Sequence, residues 1–135
     1  LIINVKKIGM AKKNIDTPTC AVDFAFRRIG GKYKGRILWY LYEHKVLRYG
    51  ELRRSITDIT TKMLTQTLRD LEDDGLVHRE VYHTMPPRVE YSLTPTSEDL
   101  VPLIDQLRAW GERQMEKNNI PSTNLAGQCV IKDEA

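Results

Sequence analysis

The stretch RYGELRRSITDITTKMLTQTLRDLEDDGLVHREVYHTMPPRVEYSLT, Arg48 to Thr94, decides the fold, because its apolar residues change period once along the way. Leu64, Leu68 and Leu71 fall at i, i+4 and i+7, one stripe of a helix, which turns Lys62, Thr65, Gln66 and Arg69 to the opposite side. Thr60 is a good N-cap and Ile59 before it can staple onto Leu64, so the helix is expected from Thr61 to Asp74. Gly75 closes it. From there the pattern alternates, with Val77, Arg79 and Val81, then Val89, Tyr91 and Leu93, which calls for two strands. Between them, Pro86 and Pro87 have no N–H to offer a strand partner, so His83 to Arg88 is expected to form the hairpin tip.

Working outward, Tyr49 to Ile56 reads as a short helix with Leu52 and Ile56 inward, and Thr57-Asp58 as the turn after it. Upstream, KYKGRILWYLYEH sets Ile37, Leu38 and Leu41 on one face of a core helix and groups Lys32, Lys34 and Arg36 at its start. CAVDFAFRRIG places Val22, Phe26 and Ile29 on one stripe of a further short helix, ended by Gly30-Gly31. Downstream, Thr94 caps and Pro95 opens one last helix carrying Leu100, Leu103, Ile104, Leu107 and Trp110. The chain is therefore expected to be mostly α with a small β-hairpin, in the order of a winged helix-turn-helix. The apolar stripe of the last helix is broader than such a core covers, and Leu107, Trp110 and Met115 near its outer end call for a second subunit.

A length of 135 residues corresponds to about one domain. Residues 1–17 are expected to form a flexible N-terminal arm, 18–117 the DNA-binding and dimerisation domain, and 118–135 a mobile tail with no period. Met10-Ala-Lys-Lys within the arm has the look of a second start. The arm's apolar residues are too few and interrupted for a signal segment or a membrane span, and a cytoplasmic protein is expected. Cys20 and Cys129 lie far apart and show no metal-ligand spacing. A structural disulfide is not expected in a reducing compartment.

Charge placement says more than total charge. The chain is only +3 at pH 7, yet residues 27–69 hold 11 basic against 3 acidic residues, leaving an acidic remainder. A positive zone on a near-neutral protein suits double-stranded DNA held at one face. Within it and beside it, Thr61, Lys62, Thr65, Gln66 and Arg69 on the helix, Arg48 and Lys32 before it, and Arg88 at the tip form the candidate contact set. Arg79 and His83 lie near that tip. Gln suits adenine and Arg or Lys suits guanine, while phosphates accept from all of these donors. Any solvated helix face carries similar residues; its place after a helix and a turn singles this one out. A winged module that binds only protein is the other reading, and steep salt dependence would separate the two.

An enzyme is not expected, and neither is a cofactor or a metal. His78 and His83 sit an odd number of positions apart and make a poor metal pair on a strand, and His44 stands at a helix end. Glu72, Asp73 and Asp74 form an acidic helix end, mildly unfavourable for its dipole. No Gly-rich phosphate loop or nucleophile elbow occurs.

With these residues in place, the chain closely resembles the HxlR-type transcriptional regulators, relatives of the MarR-like winged-helix proteins. Gly31-Lys32-Tyr33-Lys34, Arg48-Tyr49-Gly50-Glu51-Leu52, Lys62-Met63-Leu64-Thr65-Gln66, Leu71-Glu72 with Gly75-Leu76-Val77, and Pro86 to Thr94 match that pattern in order, over roughly Cys20 to Gly111. The resemblance implies a cytoplasmic bacterial or archaeal regulator that binds an inverted-repeat operator as a homodimer. The first and last helices would form the interface, through Val22, Phe26, Leu103, Leu107 and Trp110, and helix 61–74 would enter the major groove with the 76–94 hairpin as wing. Tyr33 departs from the more usual Trp, Tyr49 from Phe, and Thr96-Ser97 from a Gly after the Leu-Thr pair. Cys20 stands where the family commonly has Cys-Pro, with Ala21 in place of the proline, and some relatives use that cysteine to sense oxidants or electrophiles. A thiol at a helix start meets the positive end of the dipole, and Arg27 and Arg28 are cations near it in sequence, although neither need point toward it. The alternative for Cys20 is a small buried packing residue.

Overall fold

The computed structural model describes residues 20–121; the expected arm, most of the expected tail and Cys129 lie outside them. In chain order the elements are α1 (Ala21–Ile29), α2 (Lys34–His44), β1 (Leu47–Arg48), α3 (Tyr49–Ser55), α4 (Thr61–Asp73), β2 (Val77–Tyr82), β3 (Arg88–Leu93), α5 (Pro95–Glu98) and α6 (Val101–Lys117).

The helix at the centre of the sequence pattern forms as its leucines demand. Leu64, Leu68 and Leu71 are buried to 2 % exposure or less and meet Ile37, Leu38 and Leu41 of α2 and Leu52 and Ile56 around α3 in one core. Removing each such leucine from water stabilises the fold by about 1.5 to 3 kcal/mol. At the start of α4 the Thr60 hydroxyl accepts from the Met63 N–H at 3.1 Å, and Ile59 and Leu64 join the same core, as a cap with its staple requires. At its end Gly75 takes φ +77, a backbone few other residues adopt cheaply. There the Gly75 N–H donates to Glu72 O and the Leu76 N–H to Leu71 O, the paired bonds of a Schellman motif. The helix stops at Asp73, with Asp74 as its cap, one residue short of the expected end.

The two expected strands pair antiparallel with Val77, Arg79 and Val81 opposite Leu93, Tyr91 and Val89, so the alternation read from the sequence becomes the shared face of the hairpin. One expectation is extended and two need correction. The hairpin is one part of a three-stranded sheet in the order β1-β3-β2, because Leu47 and Arg48 pair with Tyr91 and Glu90. Arg88 opens β3 opposite Tyr82, so the tip is residues 83–87 and Arg88 is not on it. The last helix is broken into α5 and α6. In one continuous helix Pro102 would clash with the carbonyl of Glu98 and leave it without a donor, so the chain restarts and places Pro102 in the first turn of α6, where no N–H is needed.

Around this frame α6 packs on α2, Val101 and Ile104 facing in, and Arg108 lies 5.3 Å from the ring centre of Trp39. No buried residue belongs to α1. Val22 and Phe26 on α1, and Leu103, Leu107 and Trp110 on α6, are each more than half exposed. Among the described residues no helix is long and apolar enough to cross a membrane.

Candidate nucleic-acid interface

Because Leu64, Leu68 and Leu71 fix the roll of α4, Lys62, Gln66 and Arg69 stand on its exposed side, with Thr61 exposed and Thr65 half-buried at the edge facing α3. The ion pairs divide the surrounding cations into two groups. Arg36 and Lys32 lie 2.9 and 3.5 Å from Asp58, and Arg88 Nε donates to Glu90 at 3.0 Å while its guanidinium sits 4.1 Å from the centre of the Tyr82 ring. Lys62, Arg69, Arg48, Arg53 and Arg54 are exposed and have no ion-pair partner among the described residues. These unpaired cations lie on α3, α4 and the residue that caps α3, and Arg79 on β2 and Lys45 after α2 are likewise exposed without an ion-pair partner among the described residues. Lys32 and Arg88, both candidates from the sequence, are partly neutralised by neighbouring carboxylates.

Arg53 and Arg54 were missed by sequence reasoning, although they lie inside the basic zone and on the first helix of the pair. Arg53 Nε donates to the Thr61 hydroxyl at 3.1 Å and so places a guanidinium at the start of α4. Beside it the Tyr49 hydroxyl donates to the Thr61 carbonyl at 3.2 Å and lies 3.0 Å from Thr65 Oγ1. These bonds link α3 to α4. At the cap of α3 the Glu51 carboxylate accepts from the Arg48 N–H at 2.8 Å, which leaves the Arg48 side chain exposed.

On the outer face Gln66 Nε2 donates to Asp70 Oδ1 at 3.0 Å. A carboxylate accepts only, so the amide is held with its nitrogen toward Asp70, and one N–H and the Oε1 acceptor remain for a ligand. Those two groups are what a paired contact with adenine uses. Farther along, burial raises the Asp74 carboxyl above its ordinary value, and Arg28 at 3.9 Å opposes that rise. The contact ties α1 to the end of α4.

Cys20 is exposed and caps α1, its Sγ accepting from the Asp23 N–H at 3.5 Å. Both nearby arginines have other partners: Arg27 Nε is bonded to Asp23 at 3.0 Å, and Arg28 lies against Asp74 and the Phe24 ring. The expectation of a buried packing cysteine is not met either.

A helix, a turn and a second helix with an unpaired cationic outer side, followed by an antiparallel ribbon, define a winged helix-turn-helix of the DNA-binding class. The chain belongs to the HxlR-like helix-turn-helix family, whose model matches residues 28–119. It is 48% identical over 103 residues to the uncharacterized HTH-type transcriptional regulator YybR of Bacillus subtilis (strain 168), covering 75% of this chain and 82% of that one. Among solved structures it is similar to the redox regulator HypR in its reduced form, with TM-score 0.70, 44% identity and coverage of 74% of this chain and 98% of that one. For the oxidized form of HypR the TM-score is 0.67 at 48% identity, with 70% and 96% covered. The protein is a transcriptional regulator of the helix-turn-helix type and not an enzyme.

Proposed function

We propose that the protein is a cytoplasmic, sequence-specific regulator that binds an inverted-repeat operator in double-stranded DNA as a homodimer. In this reading α4 enters the major groove, the β2–β3 wing lies along the flanking backbone, and the two copies of α4 are set about 34 to 36 Å apart, one turn of DNA. The observation that carries it is the outer side of α4: Lys62, Gln66 and Arg69 are exposed, and the two cations are unpaired among the described residues. Homodimerisation is supported by the uncovered apolar residues of α1 and α6, which water would otherwise hydrate at a cost. Genomic footprinting of the full chain tests the reading. Protected sites with two-fold symmetry and half-sites one turn apart are expected; protection without symmetry or sequence preference would overturn it.

A second reading has its own support. Cys20 is exposed at the start of α1, next to Val22 and Phe26, and the chain is 44% to 48% identical to a redox regulator whose reduced and oxidized forms have both been solved. In that reading modification of the Cys20 thiol, by disulfide formation with a second thiol as diamide takes up the two electrons and two protons, or by addition to a quinone, alters the packing of α1 against the second subunit and thereby the operator affinity. Titration with diamide or a quinone is expected to change operator affinity in the wild type and not in Cys20→Ser. Unchanged affinity in both would remove the sensor.

A further inference from the structure

Among the polar groups at the edge of α4, one hydroxyl has its proton already committed. The Tyr49 hydroxyl is within hydrogen-bond distance of two partners, the Thr61 carbonyl at 3.2 Å and Thr65 Oγ1 at 3.0 Å. A carbonyl oxygen can only accept, so both contacts are hydrogen bonds only when the single Tyr49 proton goes to Thr61. The Tyr49 oxygen is then left as the acceptor for the Thr65 hydroxyl, and the Thr65 proton is directed into the protein. Toward a ligand, Thr65 retains lone pairs and no proton.

We propose that Tyr49 is a specificity-determining positioning residue, which makes Thr65 an obligate hydrogen-bond acceptor and so restricts the base it reads to one bearing an exocyclic amino group. This rests on the reading of α4 as the groove-entering helix and deepens it. In the major groove adenine N6 and cytosine N4 donate, whereas thymine O4 and guanine O6 accept. A free threonine hydroxyl rotates to suit either kind of base. One whose proton is held by Tyr49 repels a keto oxygen, because two acceptors then face each other with no hydrogen between them. Every base pair has one amino base and one keto base, so the consequence is a choice of strand: adenine or cytosine on the contacted strand, with little distinction between them. The nearby Gln66 amide, with its own orientation fixed by Asp70, leaves the adenine preference of its contact separate from this one.

Selection from a random-sequence duplex library, using the full chain, tests the proposal in three proteins: wild type, Tyr49→Phe and Thr65→Val. The wild type is expected to enrich one position per half-site as adenine or cytosine over guanine or thymine. In Tyr49→Phe that preference should fall by roughly 2- to 10-fold at the same position and at no other, as one hydrogen bond is worth. Thr65→Val, which keeps the side chain's shape and removes the hydroxyl, should lose the same preference. A purely structural role for Tyr49 would lower affinity for all sequences and leave the base profile unchanged, and that result overturns the proposal. Enrichment of keto bases at that position in the wild type overturns it as well. Failure to enrich any sequence would instead sink the DNA-reading assignment of α4, and this inference with it.

Discussion

Arg36 on α2 holds Asp58, in the turn between α3 and α4, by a two-pronged ion pair, with Nη2 2.9 Å from Oδ1 and Nη1 3.3 Å from Oδ2. The pair joins the scaffold helix to the turn that sets the angle between α3 and α4, and the Tyr33 hydroxyl donates to the Asp58 carbonyl at 3.0 Å beside it.

The first prediction follows from this ion pair. Hydrogen bonding from Arg36 lowers the Asp58 carboxyl from 3.8 to about 2. A carboxyl whose folded value is depressed stabilises the fold above its unfolded value, and the contribution is lost as pH falls toward the folded one. Asp58→Asn is therefore expected to lower the urea midpoint at pH 7, by a small amount because both partners are exposed. The gap to wild type should close between pH 3.8 and about 2. A gap that persists unchanged at acid pH would show that the pair is not its source.

Leu68 is the central inward residue of α4, with Leu64 and Leu71 one turn to either side. Leu68→Ala should cost about 2 to 5 kcal/mol in equilibrium denaturation, from reduced burial and the cavity left behind. A destabilisation below about 0.5 kcal/mol, the size of an ordinary surface effect, would mean that the leucine stripe does not anchor the helix.

Leu103 and Leu107 face outward on α6, each about half exposed among the described residues. Replacing both with glutamate should leave thermal stability of the monomer nearly unchanged while converting the proposed dimer into a monomer in analytical ultracentrifugation. A dimer that survives the double substitution would place the interface elsewhere.

How much of this was legible in the sequence depends on the distance over which each signal acts. The cap at Thr60, the leucine stripe of α4, the closing Gly75 and the alternation of β2 and β3 are local patterns, and each formed where the residues indicated. Strand β1 was not legible, because two residues carry no period and Leu47 finds its partner, Tyr91, only on the far side of α3, α4 and β2. The break before α6 has a local signal in Pro102, which a reading of the apolar stripe from Leu100 to Trp110 alone passes over. At the site, α4's outer residues follow from the position of its core. The pairing of Lys32 with Asp58 and of Arg88 with Glu90 does not, nor does the bond between Tyr49 and Thr65, because those interactions are set by how separate elements meet or by which rotamer a charged side chain adopts.

Arg53 and Arg54 lie on α3, exposed and without an ion-pair partner among the described residues. Arg54→Ala should weaken binding to every duplex alike and flatten the dependence of log affinity on log salt by about 0.9, the slope that neutralising a single phosphate contributes. Arg53→Ala should do the same and further loosen the start of α4 through its bond to Thr61. Binding of both variants with the wild-type salt slope would remove α3 from the interface.

The outer side of α4 is tested most directly by fluorescence anisotropy titration of a footprinted operator, and of an unrelated duplex, with wild type, Lys62→Ala and Gln66→Ala. Lys62→Ala should weaken both duplexes and flatten the salt dependence, while Gln66→Ala should cost roughly 1 to 3 kcal/mol of discrimination between them. Wild-type affinity and discrimination in both variants would contradict the account.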